Sequence, residues 1–420
     1  MRVRRLAVVD AQAYWMSAKI PSDQFLLYGF DGVPEDLARA IQVIRSRATA
    51  CGELRVRVRD GNYLTYPAWV SADVEDDQFA VHELDDSSWA GCLAAVARLT
   101  DEQLDARVAP WRLHVFPAVR GVPAAEGPAT VAVLQIAHVL ADGVRASALA
   151  ARLFGRAVDI QPVPTLRSRG VRLPWRSVAA ARAHRRLVRD TEAGVVPPQA
   201  EPRPALRTNS RPSGVCSLRT LVRRRDDIPG PTVTIGVMCA LSTALSAHLR
   251  ELGDDPSTLG AEVPMAKSTV RRAHNHFGNV GIGLYPHLEP DERATRIGED
   301  LRQRRRRREH PAIAAESRAV EAVPAPLLRW GVAQFDETAR SPIVTGNTTV
   351  SSVNRGAADL RFGDARVVVT SGYPGLSPMM GLTHGVHGIG DTVAISVHAA
   401  ESAIGDVDAY VARLDAALPG

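Results

Sequence analysis

The run TVAVLQIAHVL at residues 130–140 constrains the fold most strongly, because it is almost free of polar side chains. Such a run is typical of a β-strand that other elements cover on both faces. The next segment, ADGVRASALAARLFG, predicts a helix that packs behind this strand. We therefore expect an α/β (α+β) fold, in which His138 stands where the buried strand ends.

His138, Asp142 and Gly143 form an H-x-x-x-D-G pattern. From average residue usage, this pattern occurs by chance in about one chain in thirty of this length. Its position at a strand end adds weight, because side chains first meet a cleft there. Glycine allows the chain to bend without a Cβ clash, and the aspartate can cap the helix or pair with an arginine.

Two interpretations of His138 follow from these residues. In the first, an imidazole with a pKa near neutrality takes a proton from a hydroxyl or an amine as that group attacks a carbonyl. In the second, His138 is a core histidine that is hydrogen-bonded to a neighbouring carbonyl. The residues alone leave both interpretations open.

The length of 420 residues exceeds what one hydrophobic core usually organises, and 45% of the residues are hydrophobic. We expect an N-terminal domain at 1–160 and a C-terminal domain at 216–420. A crossover rich in proline and arginine joins them at 161–215, with one basic helix, RSVAAARAHRRLVRD. Hairpins are predicted at Asp60-Gly61 and at Gly390-Asp391, the latter with a type II′ turn.

The net charge of +5 comes almost entirely from arginine, and the densest cluster is LRQRRRRREH at 301–310. Such a cluster can contact phosphate groups, nucleic acid or an acidic membrane surface. No aromatic residues alternate with these arginines, as a single-strand binder would need. We therefore expect a solvated helix face and no nucleic-acid partner, and peripheral membrane contact stays open.

Other features exclude several classes. The apolar stretch near the N-terminus is too short for a signal-peptide core, and no stretch is typical of a transmembrane span, so we expect a cytoplasmic protein. Nothing indicates a metal site, because the pairs His274/His276 and His384/His387 have no convincing third ligand. The cysteines do not form a C-x-x-C motif, and no G-x-S-x-G elbow is present.

Motifs along nearly the whole chain resemble those of the bacterial wax ester synthase/diacylglycerol acyltransferase family. This family lies within the superfamily of CoA-dependent acyltransferases that includes chloramphenicol acetyltransferase and the condensation domains. The superfamily signature HHxxxDG reads here AHVLADG at 137–143. Further similar segments are LAVVDAQAYWM, QFLLYGFDG, APWRLHVF, EVPMAKS, HNHFGNVGIGLYP and the stretch from VSSVNRG to the final helix.

The resemblance implies two chloramphenicol acetyltransferase-like domains with mixed sheets and a tunnel between them. His138 would be the catalytic base, Asp142 would hold the loop, most simply through an arginine, and Gly143 would permit the turn. Substrate-binding residues would be Asn275, Gly278, Asn279, Ser351 and Ser352, although a tight turn at Gly278-Asn279 is an equal alternative. Trp111 is better explained as core.

The chain departs from the family pattern in several places. Ala137 replaces the first histidine of the signature. The family's S-N-V-P-G-P segment is SSVNRG at 351–356, and its T-V-N-D-V helix opening is TVTIG at 232–236. These changes fall in the half of the tunnel that would hold the acceptor.

The function implied by the resemblance is transfer of an acyl group from a CoA or carrier-protein thioester to a hydroxyl or amine acceptor, without an acyl-enzyme. No cofactor would be bound permanently, since the acyl thioester is a co-substrate. The acceptor would be a lipid or a small molecule. The altered S-N-V-P-G-P segment favours an ester- or amide-forming enzyme of specialised metabolism, and a non-catalytic binding protein is a further alternative.

Overall fold

The computed structural model describes residues 4–164 and 173–418 and contains two six-stranded mixed sheets. The first three residues of the basic N-terminal cluster, residues 165–172 of the predicted crossover and the last two residues lie outside the described residues.

The strands of the described residues are numbered along the chain. They are β1 (Arg4–Arg5), β2 (Gln24–Asp31), β3 (Val56–Arg59), β4 (Ala68–Ser71), β5 (Phe79–Val81), β6 (Trp111–Val119), β7 (Ala129–Ile136), β8 (Arg203–Pro204), β9 (Cys216–Arg224), β10 (Gly260–Ala266), β11 (Phe277–Gly283), β12 (Ile343–Val344), β13 (Thr348–Asn354), β14 (Arg361–Phe362), β15 (Ala365–Tyr373), β16 (Leu382–Ile389) and β17 (Thr392–Ala400).

The α-helices are numbered in the same way. They are α1 (Val8–Ser17), α2 (Leu37–Thr49), α3 (Trp89–Leu99), α4 (Gly143–Leu153), α5 (Leu173–Glu192), α6 (Val233–Glu251), α7 (Pro290–Arg308), α8 (Pro311–Val320), α9 (Ala325–Ala333), α10 (Glu401–Ile404) and α11 (Val407–Ala416).

The first sheet has the strand order β14-β15-β2-β7-β6-β5. All eight residues of β7 are buried, which confirms the prediction of a strand covered on both faces. The strand ends at Ile136 and not at residue 140, because a hydrogen bond of 2.8 Å from Leu140 N to Ala137 O closes a turn. His138 therefore lies in the loop between β7 and α4.

The second sheet has the order β11-β10-β13-β16-β17-β9. Its predicted hairpin is present, since Gly390 and Asp391 connect β16 to β17. Gly390 has a φ of 56° and Asp391 does not have a positive φ, as a type II′ turn requires.

The hairpin predicted at Asp60-Gly61 also forms, from β3 and β4, but residues 60–67 connect the strands. The two-residue turn is wrong here, because Asp60 accepts hydrogen bonds from Trp15 and Arg329 instead.

Strand β15 comes from the C-terminal part of the chain but completes the first sheet. It pairs antiparallel with β2 from Arg366 to Tyr373 and also packs against β16 and β17 of the second sheet. The boundaries 1–160 and 216–420 stay a prediction for two folding units. The first sheet, however, contains strands from both predicted ranges.

Apolar cores cover both faces of the first sheet. One lies between this sheet and α1, α2 and α4, where the rings of Tyr28, Phe30 and Phe154 are in contact. The other lies under α3 and includes Leu218 and Ala394 of the second sheet. Each fully buried side chain of this size contributes about 1.5–3 kcal/mol relative to its exposure. The predicted place of Trp111 in the core is confirmed.

The arginine cluster on α7 contacts the crossover, which corrects the expectation of a fully solvated helix face. Arg306 and Arg307 donate to the main-chain oxygens of Val195 and Pro197, each at 2.8 Å, and Arg304 binds the oxygen of Pro198. A crossover rich in proline leaves carbonyl acceptors that no backbone N–H pairs with, and the guanidinium donors satisfy them.

Helix α6 is long and apolar enough to cross a membrane by length and composition. Within its most apolar window, however, 67% of the residues are buried inside the protein. Such burial is typical of a core helix that packs under a sheet.

We expect a fragment of residues 1–160 to aggregate and to show no cooperative unfolding. Without β15, the buried strand β2 has an apolar, unpaired edge. Size-exclusion chromatography and thermal denaturation followed by circular dichroism test this, with the full chain as the control. Co-expression with residues 161–420, which supply β15, should restore soluble protein. A monomeric fragment that unfolds cooperatively on its own would contradict the expectation.

Candidate active site

A cavity of about 670 Å³ lies between the two sheets. We call it the central cavity. The first sheet and the loop after β7 contribute Phe25, Leu26 and His138 to its wall, and the second sheet contributes residues of β10, β11 and β13. Six of the eight predicted site residues line it: His138, Asp142, Gly143, Asn279, Ser351 and Ser352.

His138 is half-buried and its ring lines the central cavity. Its Nδ1 lies 3.2 Å from the main-chain oxygen of Ala141. Because a carbonyl oxygen only accepts, Nδ1 carries the proton and Nε2 has a free lone pair. Nε2 has no hydrogen-bond partner among the described residues and is not sealed from solvent. The ring of Phe277 stacks on the imidazole, with 5.6 Å between centroids.

Burial lowers the pKa of His138 below the usual 6.5. The hydrogen bond to Ala141 and the charge of Asp142 oppose this effect without cancelling it. The imidazole is therefore neutral at neutral pH. The hydrogen bond to a carbonyl is the feature expected of a core histidine. Contact with a cavity of this volume is the feature that the first interpretation, a general base, requires.

Asp142 is buried and holds three parts of the chain together. Its carboxylate accepts the main-chain N–H of Arg145 at 2.9 Å and so caps α4. It also accepts the main-chain N–H of His276 and a hydrogen bond from Arg271 Nη1, both at 2.9 Å. The sequence predicted an arginine in this place without identifying it, and Arg271 lies there.

Gly143 does not need the conformational freedom that was predicted for it. It is the first residue of α4, and its φ lies outside the left-handed region. A Cβ there would make ordinary contacts, 3.7 Å from Val353 Cγ2 and 3.9 Å from Gln24 Oε1. Gly143 lines the central cavity, so its lack of a side chain leaves space close to His138.

Asn275 fixes the main chain at His138 from the other half of the chain. Its Nδ2 donates to the oxygen of His138 at 2.8 Å and to Asp10 Oδ1 at 3.0 Å. Asp10 also accepts the main-chain N–H groups of His274 and Asn275, both at 2.9 Å. Burial raises the pKa of Asp10 to about 6 in spite of these donors.

Sequence reasoning missed Asp10 as part of the site. The sequence feature that could have identified it is an acidic residue inside the apolar start of α1, where a buried charge is costly unless it accepts hydrogen bonds.

The tight turn considered for Gly278-Asn279 is wrong, because both residues lie within β11 and pair with Met265 and Pro264. Asn279 faces the central cavity and bonds to Glu262. Gly278 does not line the cavity and instead accepts a hydrogen bond of 2.5 Å from Arg308.

Ser351 and Ser352 both line the central cavity from β13. The hydroxyl of Ser352 lies 2.8 Å from that of Thr234, at the start of α6. The two segments that depart most from the family pattern are therefore in contact at the cavity wall.

A second cavity of about 490 Å³ lies on the other side of the loop 274–276. We call it the basic cleft, because cationic side chains on its wall outnumber the two carboxylates there. The cations are Lys267, Arg272, Arg308 and Arg318, and the carboxylates are Glu316 and Glu321. Asn275 lines the basic cleft and contacts the main chain of His138.

Solved structures share this architecture. The wax ester synthase/diacylglycerol acyltransferase from Marinobacter aquaeolei VT8 matches with a TM-score of 0.64 and 16% sequence identity, covering 99% of this chain and 98% of that one. The chain has the fold of this acyltransferase. The chloramphenicol acetyltransferase-like fold with mixed sheets, predicted from the sequence motifs, is thus confirmed.

Condensation domains are also similar in structure. A doubly substituted starter condensation domain of rhizomide synthetase RzmA, in complex with C8-CoA and Leu-SNAC, matches with a TM-score of 0.60 and 12% identity, covering 99% of this chain and 93% of that one. The condensation domain of the Monacolin K polyketide synthase MokA gives 0.54 and 14%, covering 100% and 96%. No family model and no curated protein sequence matches the chain.

We expect Asp142→Ala to lower the free energy of unfolding by about 3–5 kcal/mol, because it leaves the half-buried Arg271 guanidinium without its counter-ion and two main-chain N–H groups without their acceptor. Urea denaturation measures this loss. Asp105→Ala is the matched control, since Asp105 pairs with Arg107 at the surface, and its loss should be much smaller. Equal losses in the two variants would show that Asp142 does not hold the loop.

Proposed function

We propose that this protein is an acyltransferase, which moves an acyl group from a CoA or carrier-protein thioester to a hydroxyl or amine in the central cavity. The observation that carries the proposal is the imidazole of His138, which lines a cavity between two sheets and whose Nε2 has no hydrogen-bond partner among the described residues. The fold shared with the Marinobacter acyltransferase supports it.

His138 acts as the general base. Its Nε2 takes the proton of the acceptor O–H or N–H while the acceptor oxygen or nitrogen attacks the thioester carbonyl carbon. The tetrahedral oxyanion that results collapses, the C–S bond breaks, and the leaving thiolate receives the proton from the imidazolium. The Nδ1–H bond to Ala141 and the nearby charge of Asp142 stabilise the transient imidazolium. No acyl-enzyme forms.

The acyl donor approaches from the basic cleft. Its cationic side chains attract the phosphate groups of CoA or of a phosphopantetheine arm. Asn275 lines this cleft and bonds to the main chain of His138, so a thioester bound here lies close to the loop that carries the base. The complex of an RzmA condensation domain with C8-CoA supports a thioester donor for this fold.

The acceptor occupies the central cavity on the side of Ser351 and Ser352. The first class to test is the long-chain alcohols and diacylglycerol of wax ester synthase/diacylglycerol acyltransferase enzymes. The second is small hydroxylated or amino acceptors of specialised metabolism, which the altered segment 351–356 favours.

We place the protein in the cytoplasm. With a lipid acceptor, exposed arginines of α7 such as Arg302 and Arg305 would contact the inner membrane face.

We expect His138→Ala to reduce turnover about 10²–10⁴-fold, the usual contribution of a positioned base. The variant should unfold at the same temperature as the parent, because the ring is half-buried and its one hydrogen bond is to a loop carbonyl. Release of thiol from acyl-CoA in the presence of each acceptor class measures turnover.

His184→Ala is the control for this substitution, since His184 is exposed on α5 and should lose no activity. Equal rates for His138→Ala and the parent would contradict the proposed base. Binding of a thioester without turnover in the parent would instead favour a non-catalytic binding protein.

The pH profile of kcat/KM gives an independent test. The base works only when it is deprotonated, and burial lowers its pKa, so activity should persist below pH 6.5 before it falls on the acid side. The rate of the parent is measured from pH 4.5 to 8 with a neutral acceptor. A midpoint clearly above 6.5 would indicate that a different group, or a different environment of His138, controls the reaction.

A further inference from the structure

Arg355 is a buried cation in the wall of the central cavity, with 6% of its surface exposed. It follows β13 in the second sheet, and its side chain reaches the first sheet. Its Nη1 donates to Ser371 O at 2.9 Å, to Leu27 O at 3.4 Å and to Thr370 Oγ1. The guanidinium also lies 5.0 Å from the centre of the Tyr28 ring.

Only one of the three guanidinium nitrogens makes these hydrogen bonds. Nε is buried without a partner, and Nη2 has no partner among the described residues, yet it is not sealed from the cavity. No Asp or Glu oxygen of the described residues lies within 4.0 Å of the guanidinium, so its positive charge is not neutralised. A buried cation without a counter-ion is costly, and pairing of the accessible Nη2 with a carboxylate would offset that cost.

Residue 372 is a glycine, and the side chains of Arg355 and His387 pack closely against it. A Cβ on Gly372 would lie 2.9 Å from Arg355 Nη2 and 3.1 Å from His387 Nε2. His387 is buried on β16, lines the same cavity, and its Nδ1 has no partner. With its proton on Nε2, the ring donates into the same space as Arg355. Two donors thus lie beside one glycine at the wall of the central cavity.

The carboxylates that line the central cavity are all occupied elsewhere. Asp23 accepts from Leu104 and Gln135, Asp142 binds Arg271, and Glu262 binds Asn279. Among the described residues, the cavity wall therefore supplies no anion for these two donors.

We propose that Arg355, with His387 beside it, binds a carboxylate group of one of the substrates. As a statement about substrates, this inference rests on the proposed acyl transfer. Gln24 contacts the main chain of Ala141 next to His138, and Arg355 contacts Leu27, three residues further along β2. Three residues of strand correspond to about 10 Å. The carboxylate thus lies several bonds away from the reacting atoms, and it belongs either to the acceptor or to the far end of the acyl group.

A binding experiment tests the carboxylate site without any need for turnover. Calorimetric titration with hexanoate and with hexanamide compares two probes of the same size, of which only hexanoate is charged. We expect the parent to bind hexanoate at least tenfold more tightly than hexanamide. Arg355→Met should abolish the preference, and Gly372→Ala, whose Cβ would displace the guanidinium, should weaken it.

Two further variants separate this inference from the proposed function. His138→Ala should bind hexanoate like the parent, even though it does not turn over. Arg366→Met removes an exposed cation from β15, the strand that also carries Gly372, and this variant should bind hexanoate normally. A parent that shows no preference for hexanoate, or an Arg355→Met variant that keeps it, would overturn the inference, whatever the enzyme's activity.

Turnover then identifies which substrate carries the carboxylate. One arm compares glutaryl-CoA with hexanoyl-CoA as donors, and the other compares 6-hydroxyhexanoate with 1-hexanol as acceptors. The expected result is a KM at least tenfold lower for the charged member in one arm only, and Arg355→Met should remove that advantage with little change in kcat. If neither charged member is preferred by the parent, Arg355 does not recognise a substrate carboxylate.

Discussion

The carboxylate of Asp142 is the interaction on which the arrangement of the site depends. It joins the start of α4, which belongs to the first half of the chain, to the loop at 271–276 from the second half. Asp10 and Asn275 strengthen the same junction from α1. Because Asp142, Asp10 and Asn275 are buried, their bonds are made in a medium of low dielectric constant, where their loss is costly. His138 is held between the two halves as a consequence.

The central cavity has walls of different chemistry, and this difference is the basis for its proposed selectivity. The imidazole of His138 faces it from the loop after β7, and the guanidinium of Arg355 faces it from the end of β13. Arg355 stands in the segment where the family pattern has prolines. In this chain the departure from that pattern puts a charged donor at the cavity wall, which gives this part of the cavity a polar character that a lipid alcohol does not need.

The local sequence predicted much of this structure and the place of His138 beside a cleft. The apolar run of β7, the helix behind it and the hairpin at Gly390-Asp391 all follow from short-range patterns, and they are present. The partners of the site residues could not be predicted in the same way. Arg271, Asp10 and Arg355 are far from His138 in sequence and join the site only through tertiary packing, and nothing local distinguishes them from other charged residues. The misplaced turn at Gly278-Asn279 has a similar cause, because pairing with β10 extends residues that local preference would bend.

The position of β15 in the first sheet has a consequence for synthesis on the ribosome. Residues 365–373 emerge after more than 300 residues of the chain, yet β2, which they cover, is among the first to appear. During elongation the nascent first sheet exposes the apolar edge of β2. In the native register β15 covers this edge, so the edge stays exposed until β15 has been synthesised. An intermediate that exposes such an apolar edge is prone to aggregation and can be bound by a holdase chaperone. Slow codons placed before residue 365 would prolong the exposure of this edge.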